Sequence, residues 1–552
     1  MTSGAGPARA PRVAGPEGNV ASDATVAGVT SSATVAWTCG GAALLAGLVY
    51  LNALPNPFVY DDYHTVVANP SLARPSDVLG LVLYDVARPL ANASFALDQL
   101  LWGGAPWGFR TTNIVLHVAN VTLLYLLSWH LANGRMPDAD RIHTIAPNHW
   151  ETVAPAPHIA QRTVAPAPHV AAAAAAALLF AVHPLMSEAV GYISSRSEVL
   201  CTTFLLCAML AGDRWLRGGS RRWGVAMFMA WLLAIASKET AAMFPIVFAT
   251  YDVACGPRGG WRGRLLRLHV PLILVTSVLA AVRMGLLVSV EYPDGGPVQW
   301  RYLPLALDVV RRYLGLLLMP VGQTIFHAVT PVTLMEGRSI GAIAALAVMG
   351  TTAWLARKPA PGAALGLVWF LLLLVPGAVL TLLNQGEPIA EHRVYAASCG
   401  FFLAAGETLG WLDRRLATIG GTRVIARAGF VVVLLSLAML TITRNRVWAS
   451  PVTLWGEAVD LAPDHYRPHL LLGEALEDAG RQADAEDQYR VAIALRPADV
   501  ASLVKYGQFL AKRGRGDEAR RHFTEALRLA PNDKDAQKSI SVLDRMPTDA
   551  GR

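Results

Sequence analysis

The feature that most constrains this chain is a series of about eleven apolar runs, near residues 35–54, 112–132, 170–183, 199–216, 223–236, 240–254, 269–289, 339–356, 363–383, 394–412 and 428–443. Such runs are the mark of helices that cross a bilayer, because a spanning segment must satisfy its own backbone N–H and C=O groups. Composition agrees: of 552 residues, 53% are hydrophobic and 16% charged, against about 25% charged in ordinary soluble domains. The sequence predicts an all-α polytopic membrane protein and excludes an ordinary soluble enzyme.

Basic residues set the expected topology. Arg135/Arg141/Arg162, Arg214/Arg217/Arg221/Arg222, Arg258/Arg262/Arg264/Arg267, Arg357/Lys358 and Arg414/Arg415/Arg423/Arg427 fall in alternate loops, which the positive-inside rule assigns to the cytoplasm. The N-terminus is then cytoplasmic, and everything after the eleventh run is extracytoplasmic. The formal charge of +7 follows from these loops and calls for no nucleic-acid partner. Tyr302–Met319 is apolar but carries Arg311 and Arg312 at its middle, so it reads as an interfacial helix rather than a span. Residues 1–33, rich in Gly, Ala, Pro and Ser, read as a disordered cytoplasmic tail. The near-repeat TVAPAPH at Thr152–His158 and Thr163–His169 reads as an extended spacer. The five cysteines form no C-x-x-C pair, which suggests neither a disulfide framework nor a zinc site.

The last part of the chain has a different character. Residues 448–552 hold 15 Lys+Arg and 17 Asp+Glu, the balance of a solvated module. Within it Trp455/Tyr489/Phe523, Ala458/Ala492/Ala526, Leu461/Leu495/Leu529 and Pro463/Pro497/Pro531 recur at a spacing of 34, with Gly473/Gly507 on the preceding segments. That is the tetratricopeptide period: Ala lets paired helices approach, the aromatic fills the gap and Pro ends the second helix. Residues 448–540 are therefore expected to form a short repeat solenoid of two and a half units, followed by a flexible tail at 541–552. Arrays of this kind more often bind a peptide or partner protein than perform chemistry.

In a charge-poor membrane region of 34–447, the charges that remain at membrane edges are functional candidates. Four groups fall on the outer face under the topology above: Tyr60-Asp61-Asp62-Tyr63-His64; His183 with Glu188, Arg196 and Glu198; Lys238-Glu239; and Glu387 through Glu391-His392-Arg393. The paired Asp61 and Asp62 suit a base or a cation ligand, and equally a helix N-cap with a first-turn acid. Acids converging with Arg and Lys on one membrane face suit a phosphorylated lipid substrate, since cations bind phosphate while a carboxylate moves a proton. No nucleotide-binding, dinucleotide-binding or hydrolase motif competes.

These residues resemble a known family, the transmembrane and tetratricopeptide-repeat O-mannosyltransferases of the GT-C superfamily, in a bacterial-type form. The resemblance rests on Phe58-Val59-Tyr60-Asp61-Asp62, Arg88-Pro89-Leu90, Trp107-Gly108-Phe109-Arg110 with Asn113 and Leu116-His117, and Phe180-Ala181-Val182-His183-Pro184 with Glu188-Ala189-Val190. It continues through Ser195-Arg196-Ser197-Glu198, Lys238-Glu239 and Arg444-Asn445-Arg446, running into Trp455.

The resemblance implies a GT-C-like membrane core whose first outer loop carries catalytic acid. The implied donor is a polyprenyl-phosphate sugar, mannose in the family, and the acceptor a protein Ser/Thr or a glycan hydroxyl. Asp61 or Asp62 is then the base of an inverting displacement. Arg196, Arg393 and Lys238 are expected to bind the donor phosphate, with His183, Glu188, Glu198, Glu239, Glu391 and His64 lining the cavity. No residue is assigned as a metal ligand, although Asp61, Asp62, Glu188 and His183 are donors of the kind that hold Mg²⁺ or Mn²⁺, so reaction with or without a divalent metal is compatible with them. Two alternatives compete: a transporter of lipid-linked sugars, and a membrane-anchored repeat scaffold without catalysis.

Overall fold

Over its described residues, each of the eleven apolar runs lies mainly on helix. A computed structural model describes residues 32–133, 168–257, 259–286, 298–330, 332–384, 387–419 and 421–545. The expected tail over residues 1–33 (except its last two residues), the TVAPAPH spacer (except Pro168 and His169, which begin the helix Pro168–Val182), Arg135/Arg141/Arg162, Arg258 and residues 546–552 of the C-terminal tail lie outside them. Among the described residues there is no strand. Seven helical segments are individually long and apolar enough to cross a membrane: Ser32–Ala53, Pro106–Asn133, Ile193–Leu216, Trp261–Val282, Gly337–Ala356, Pro361–Leu382 and Thr422–Val447. An eighth forms if the bent pair His169–Val182 and Pro184–Gly191, broken by 56°, is one span. The remaining runs are the helices Arg221–Ser237, Phe244–Cys255 and Tyr395–Leu416. The chain is a multi-pass membrane protein.

The core of this bundle is built around small side chains and one polar seam. The alanine run of Pro168–Val182 buries Ala172, Ala173, Ala175, Ala176 and Ala177, letting neighbours approach closely, as small residues do inside membranes. The seam runs along Pro106–Asn133, where Arg110, Asn113, His117 and Asn120 are all buried. Their spacing of three and four residues puts them on one helix face. Each reaches the segment 181–199: Arg110 Nε donates to Gly191 O at 3.0 Å, Asn113 Nδ2 to Val190 O at 3.3 Å, and Asn120 Nδ2 to Val199 O at 3.0 Å, while His117 Nε2 lies 3.4 Å from Ala181 O. A polar stripe inside a span thus holds the broken helix at Pro184, where proline withholds a donor and keeps His183 extended.

Tyr302–Met319 corresponds to the helix Leu303–Leu318, which is not among the spans. Its buried Asp308 pairs with Arg311 at 2.6 Å and Arg312 at 3.0 Å.

After the last span come six helices, Pro451–Leu461, Tyr466–Asp478, Gln482–Leu495, Val500–Ala511, Gly516–Leu529 and Lys534–Arg545. The 34-residue pattern is visible in their packing: Ala458, Ala492 and Ala526 are fully buried, and Trp455, Tyr489 and Phe523 are nearly so. A Cβ on Gly473 would lie 3.1 Å from the Tyr489 ring, and one on Gly507 2.5 Å from Phe523, so glycine there is what lets the aromatic seat.

Candidate functional site

The Asp61–Asp62 pair splits into two environments. Asp62 is fully buried. Its Oδ1 accepts from Ser194 N at 2.9 Å and Ser194 Oγ at 2.7 Å, and its Oδ2 accepts from Val59 N at 3.1 Å. Burial nevertheless pushes its pKa up to about 6, against the pull of Ser194 and of Arg110. This is a carboxylate that ties the loop to the segment after Gly191. Asp61 is exposed. Its N–H donates to the Tyr192 hydroxyl at 3.0 Å, and its carbonyl accepts from Thr65 N at 2.8 Å, so the backbone is fixed, and the exposed side chain has the same Tyr192 hydroxyl as its neighbour. The residue before it, Tyr60, has φ of 50°, in the left-handed region that a bulky side chain rarely occupies.

The three expected phosphate-binding cations also separate. Arg196 is fully buried and pairs with Asp98 at 2.6 Å. It further donates to Asn113 Oδ1 at 2.7 Å and to Phe109 O at 2.7 Å, beneath the Phe95 ring at 4.5 Å. With its guanidinium engaged by these partners, Arg196 does not line the groove that Lys238 and Arg393 share. Lys238 and Arg393 line a groove together with Glu198, Glu239 and Thr240. Opposite them stand Val309 and Tyr313 of Leu303–Leu318, and Leu373, Leu374, Gly377, Ala378 and Leu380 of Pro361–Leu382. The groove is narrow, with a free volume of about 30 Å³. Lys238 is buried and held by Glu198 at 2.8 Å, whereas Arg393 is half-buried and donates to the carbonyl of Glu387.

Between groove and loop lies a second polar cluster. Glu188 is bonded to His392 Nδ1, and burial followed by the nearby Lys238 holds the His392 pKa down at about 3. Glu391 is fully buried, accepting from Gln323 Nε2 at 2.8 Å and Thr324 N at 2.8 Å, with His327 Nε2 at 3.1 Å. Glu387 is the bridge: burial raises its pKa, Arg467 lowers it, and Glu188, Arg393 and Asp61 all act on it electrostatically. Arg444, at the end of the last span, pairs with Glu457 of the first repeat helix.

Two expected lining residues sit elsewhere. His183 is buried, its Nδ1 accepting from Leu185 N at 3.2 Å and its Nε2 lying 3.1 Å from Leu317 O, so it caps the turn at Pro184. His64 is exposed on the turn after Asp62. Sequence reasoning did not assign Glu387, His392, Tyr192, Arg444 or Arg467. The first four lie within or beside quoted motifs, while Arg467 carries no local signal. The donors named for a divalent metal do not converge: Asp62 is taken by Ser194, Glu188 by His392 and His183 by its turn. Among the described residues no three His, Cys, Asp or Glu side chains gather with a spacing that would hold a metal ion.

No family model matches the chain. Curated proteins do. The protein O-mannosyl-transferase Tmtc2 of Drosophila melanogaster is 30% identical over 243 residues, 40% of this chain and 22% of that protein. The human protein O-mannosyl-transferase TMTC1 is 26% identical over 85% of this chain and 56% of its own length. The Caenorhabditis elegans protein O-mannosyl-transferase F38B6.6 is 24% identical over 82% and 62% respectively. The chain thus spans little more than half of the relatives it matches most fully. Among solved structures, ArnT from Cupriavidus metallidurans bound to undecaprenyl phosphate aligns over 93% of this chain and 88% of its own, with a TM-score of 0.39 and 15% identity, too loose a likeness to bear on fold or site. The resemblance to O-mannosyltransferases read from the sequence motifs is borne out by the names of these relatives.

Proposed function

We propose, with the kinship to protein O-mannosyl-transferases as premise, that this chain is a membrane glycosyltransferase that moves mannose from a polyprenyl-phosphate donor to a protein Ser/Thr hydroxyl. The observation that carries the reading is the groove, which Arg393 and Lys238 line together with the apolar Leu373, Leu374 and Leu380. A cation beside an apolar wall matches a phosphate attached to a prenyl chain. Asp61 belongs to the same polar cluster, linked through Glu387, and of the two adjacent acids it is the exposed one.

In the reaction the acceptor oxygen attacks the anomeric carbon and its proton passes to the Asp61 carboxylate. The bond from that carbon to the phosphate oxygen breaks with inversion, and the lipid phosphate leaves as an anion that Arg393, with Lys238 behind it, stabilises. No step is routed through a metal. The outer ends of the spans and the repeats then face the extracytoplasmic side.

The test is transfer from radiolabelled polyprenyl-phosphate mannose to Ser/Thr peptides by purified, detergent-solubilised protein. Transfer by wild type that is lost in Arg393→Gln supports the reading. A wild type that consumes no donor, across a panel of lipid-linked sugars, ends it in favour of the scaffold.

A further inference from the structure

We propose that Arg467, on the second helix of the repeat module, is a positioning residue for Asp61, so that the first repeat is part of the membrane-face site. The inference rests on the reading of Asp61 as the base. One guanidinium joins both loops that flank the site: Arg467 Nη1 pairs with Glu387 Oε1 at 3.0 Å, and Nη2 donates to the Tyr60 hydroxyl at 2.7 Å. Tyr60 is also gripped from its ring face, with Trp455 edge-on at 5.2 Å. These are the contacts that oppose relaxation of its left-handed backbone, and a relaxed Tyr60 would carry the next residue, Asp61, with it.

The repeat pattern explains why the module reaches this far. In later units the periodic aromatic packs against the glycine of the preceding helix, Tyr489 on Gly473 and Phe523 on Gly507. The first unit has no such helix, and Trp455 takes Tyr60 instead. The apolar core of the repeats is accordingly continuous with Val59, Tyr192 and Phe326 of the membrane-face loops. An array that merely recruited an acceptor would need no side chain in the loop that holds the base.

The experiment uses the full chain. Arg467→Gln should lower kcat for transfer by about 10- to 100-fold, the scale of a misplaced reacting group, while the donor KM stays within about twofold. Arg467→Lys, which keeps the charge facing Glu387, should recover most of the loss. Tyr60→Phe removes one hydroxyl without touching the repeats and should lower kcat in the same sense by a smaller factor. A readout independent of catalysis accompanies these: the thiol of Asp61→Cys should react severalfold faster with a water-soluble maleimide when Arg467 is also Gln. A kcat for Arg467→Gln within about twofold of wild type, or an unchanged labelling rate, overturns the inference. If wild type turns over no donor, the functional reading fails and the labelling rates alone decide the positioning role.

Discussion

Two sets of charged groups meet at one end of the bundle, and they differ in what they have left to offer. In the first set, Asp62, Arg110, Asp98 and Arg196 are buried and saturated by one another's neighbourhoods. In the second, Asp61 is exposed, and Arg393 stands half-buried at the mouth of an apolar groove. Asp61 and Asp62 are adjacent in sequence and identical in chemistry, yet one closes the loop and the other is presented by it. Charge type and membrane-edge location therefore do not identify a catalytic group. What does is the balance between burial and partners already made. A charge with every hydrogen bond satisfied holds architecture, and one with spare capacity can meet a substrate.

That comparison can be broken in several places. Breaking the buried pair with Arg196→Gln should cost the most, about 3–5 kcal/mol of stability, because Asp98 is left as a buried charge with only the Thr112 hydroxyl to meet it. Thermal unfolding in detergent measures it, and whatever protein folds should keep its donor KM. A stable Arg196→Gln protein that no longer binds donor would reverse the two sets. Asp62 gives the next effect. Its folded pKa of about 6 lies above the ordinary carboxyl value of 3.8, so the native state binds the extra proton, and stability is fullest below about pH 4 and declines as pH rises through about 6. The decline attributable to this carboxyl is about 2–3 kcal/mol, and it should be present in wild type and absent in Asp62→Asn in melts from pH 4 to 7. Arg393→Gln should leave the melting temperature near wild type and raise the donor KM by about 10- to 100-fold, the worth of one charge-assisted contact. The smallest expected effect is far from both sets: Gly507→Ala, with its Cβ 2.5 Å from Phe523, should destabilise the repeats by about 1–3 kcal/mol through overpacking. Limited proteolysis of the C-terminal module would report it.

The spans and the repeats were legible in the sequence because both are periodic and local: apolar length marks a helix that crosses lipid, and Ala, aromatic and Pro at a spacing of 34 mark the solenoid. The polar seam was half legible. Arg110, Asn113 and His117 stood out as a motif, but that they share a helix face aimed at residues 181–196 emerges only when the two segments meet. The engagement of Arg196 by Asp98 was not legible, because Asp98 lies far away in the chain on the separate helix Pro89–Trp102. The asymmetry of Asp61 and Asp62 likewise depends on Ser194. Arg467 had no signal at all, since it is an ordinary surface arginine in the repeat pattern until Tyr60 and Glu387 are brought to it. Pairings across the fold decide which charges are spent, and one sequence does not carry them.

The most direct test sets the two adjacent acids side by side. Transfer of labelled mannose by purified Asp61→Asn and Asp62→Asn proteins should differ sharply: about 10²- to 10⁴-fold loss of kcat for Asp61→Asn, the contribution of a general base, with an unchanged melt. Asp62→Asn should keep most of its kcat once folded and show its effect in stability. Full activity in Asp61→Asn, or loss of kcat in Asp62→Asn alone with its stability intact, would contradict the division between the open and the saturated set.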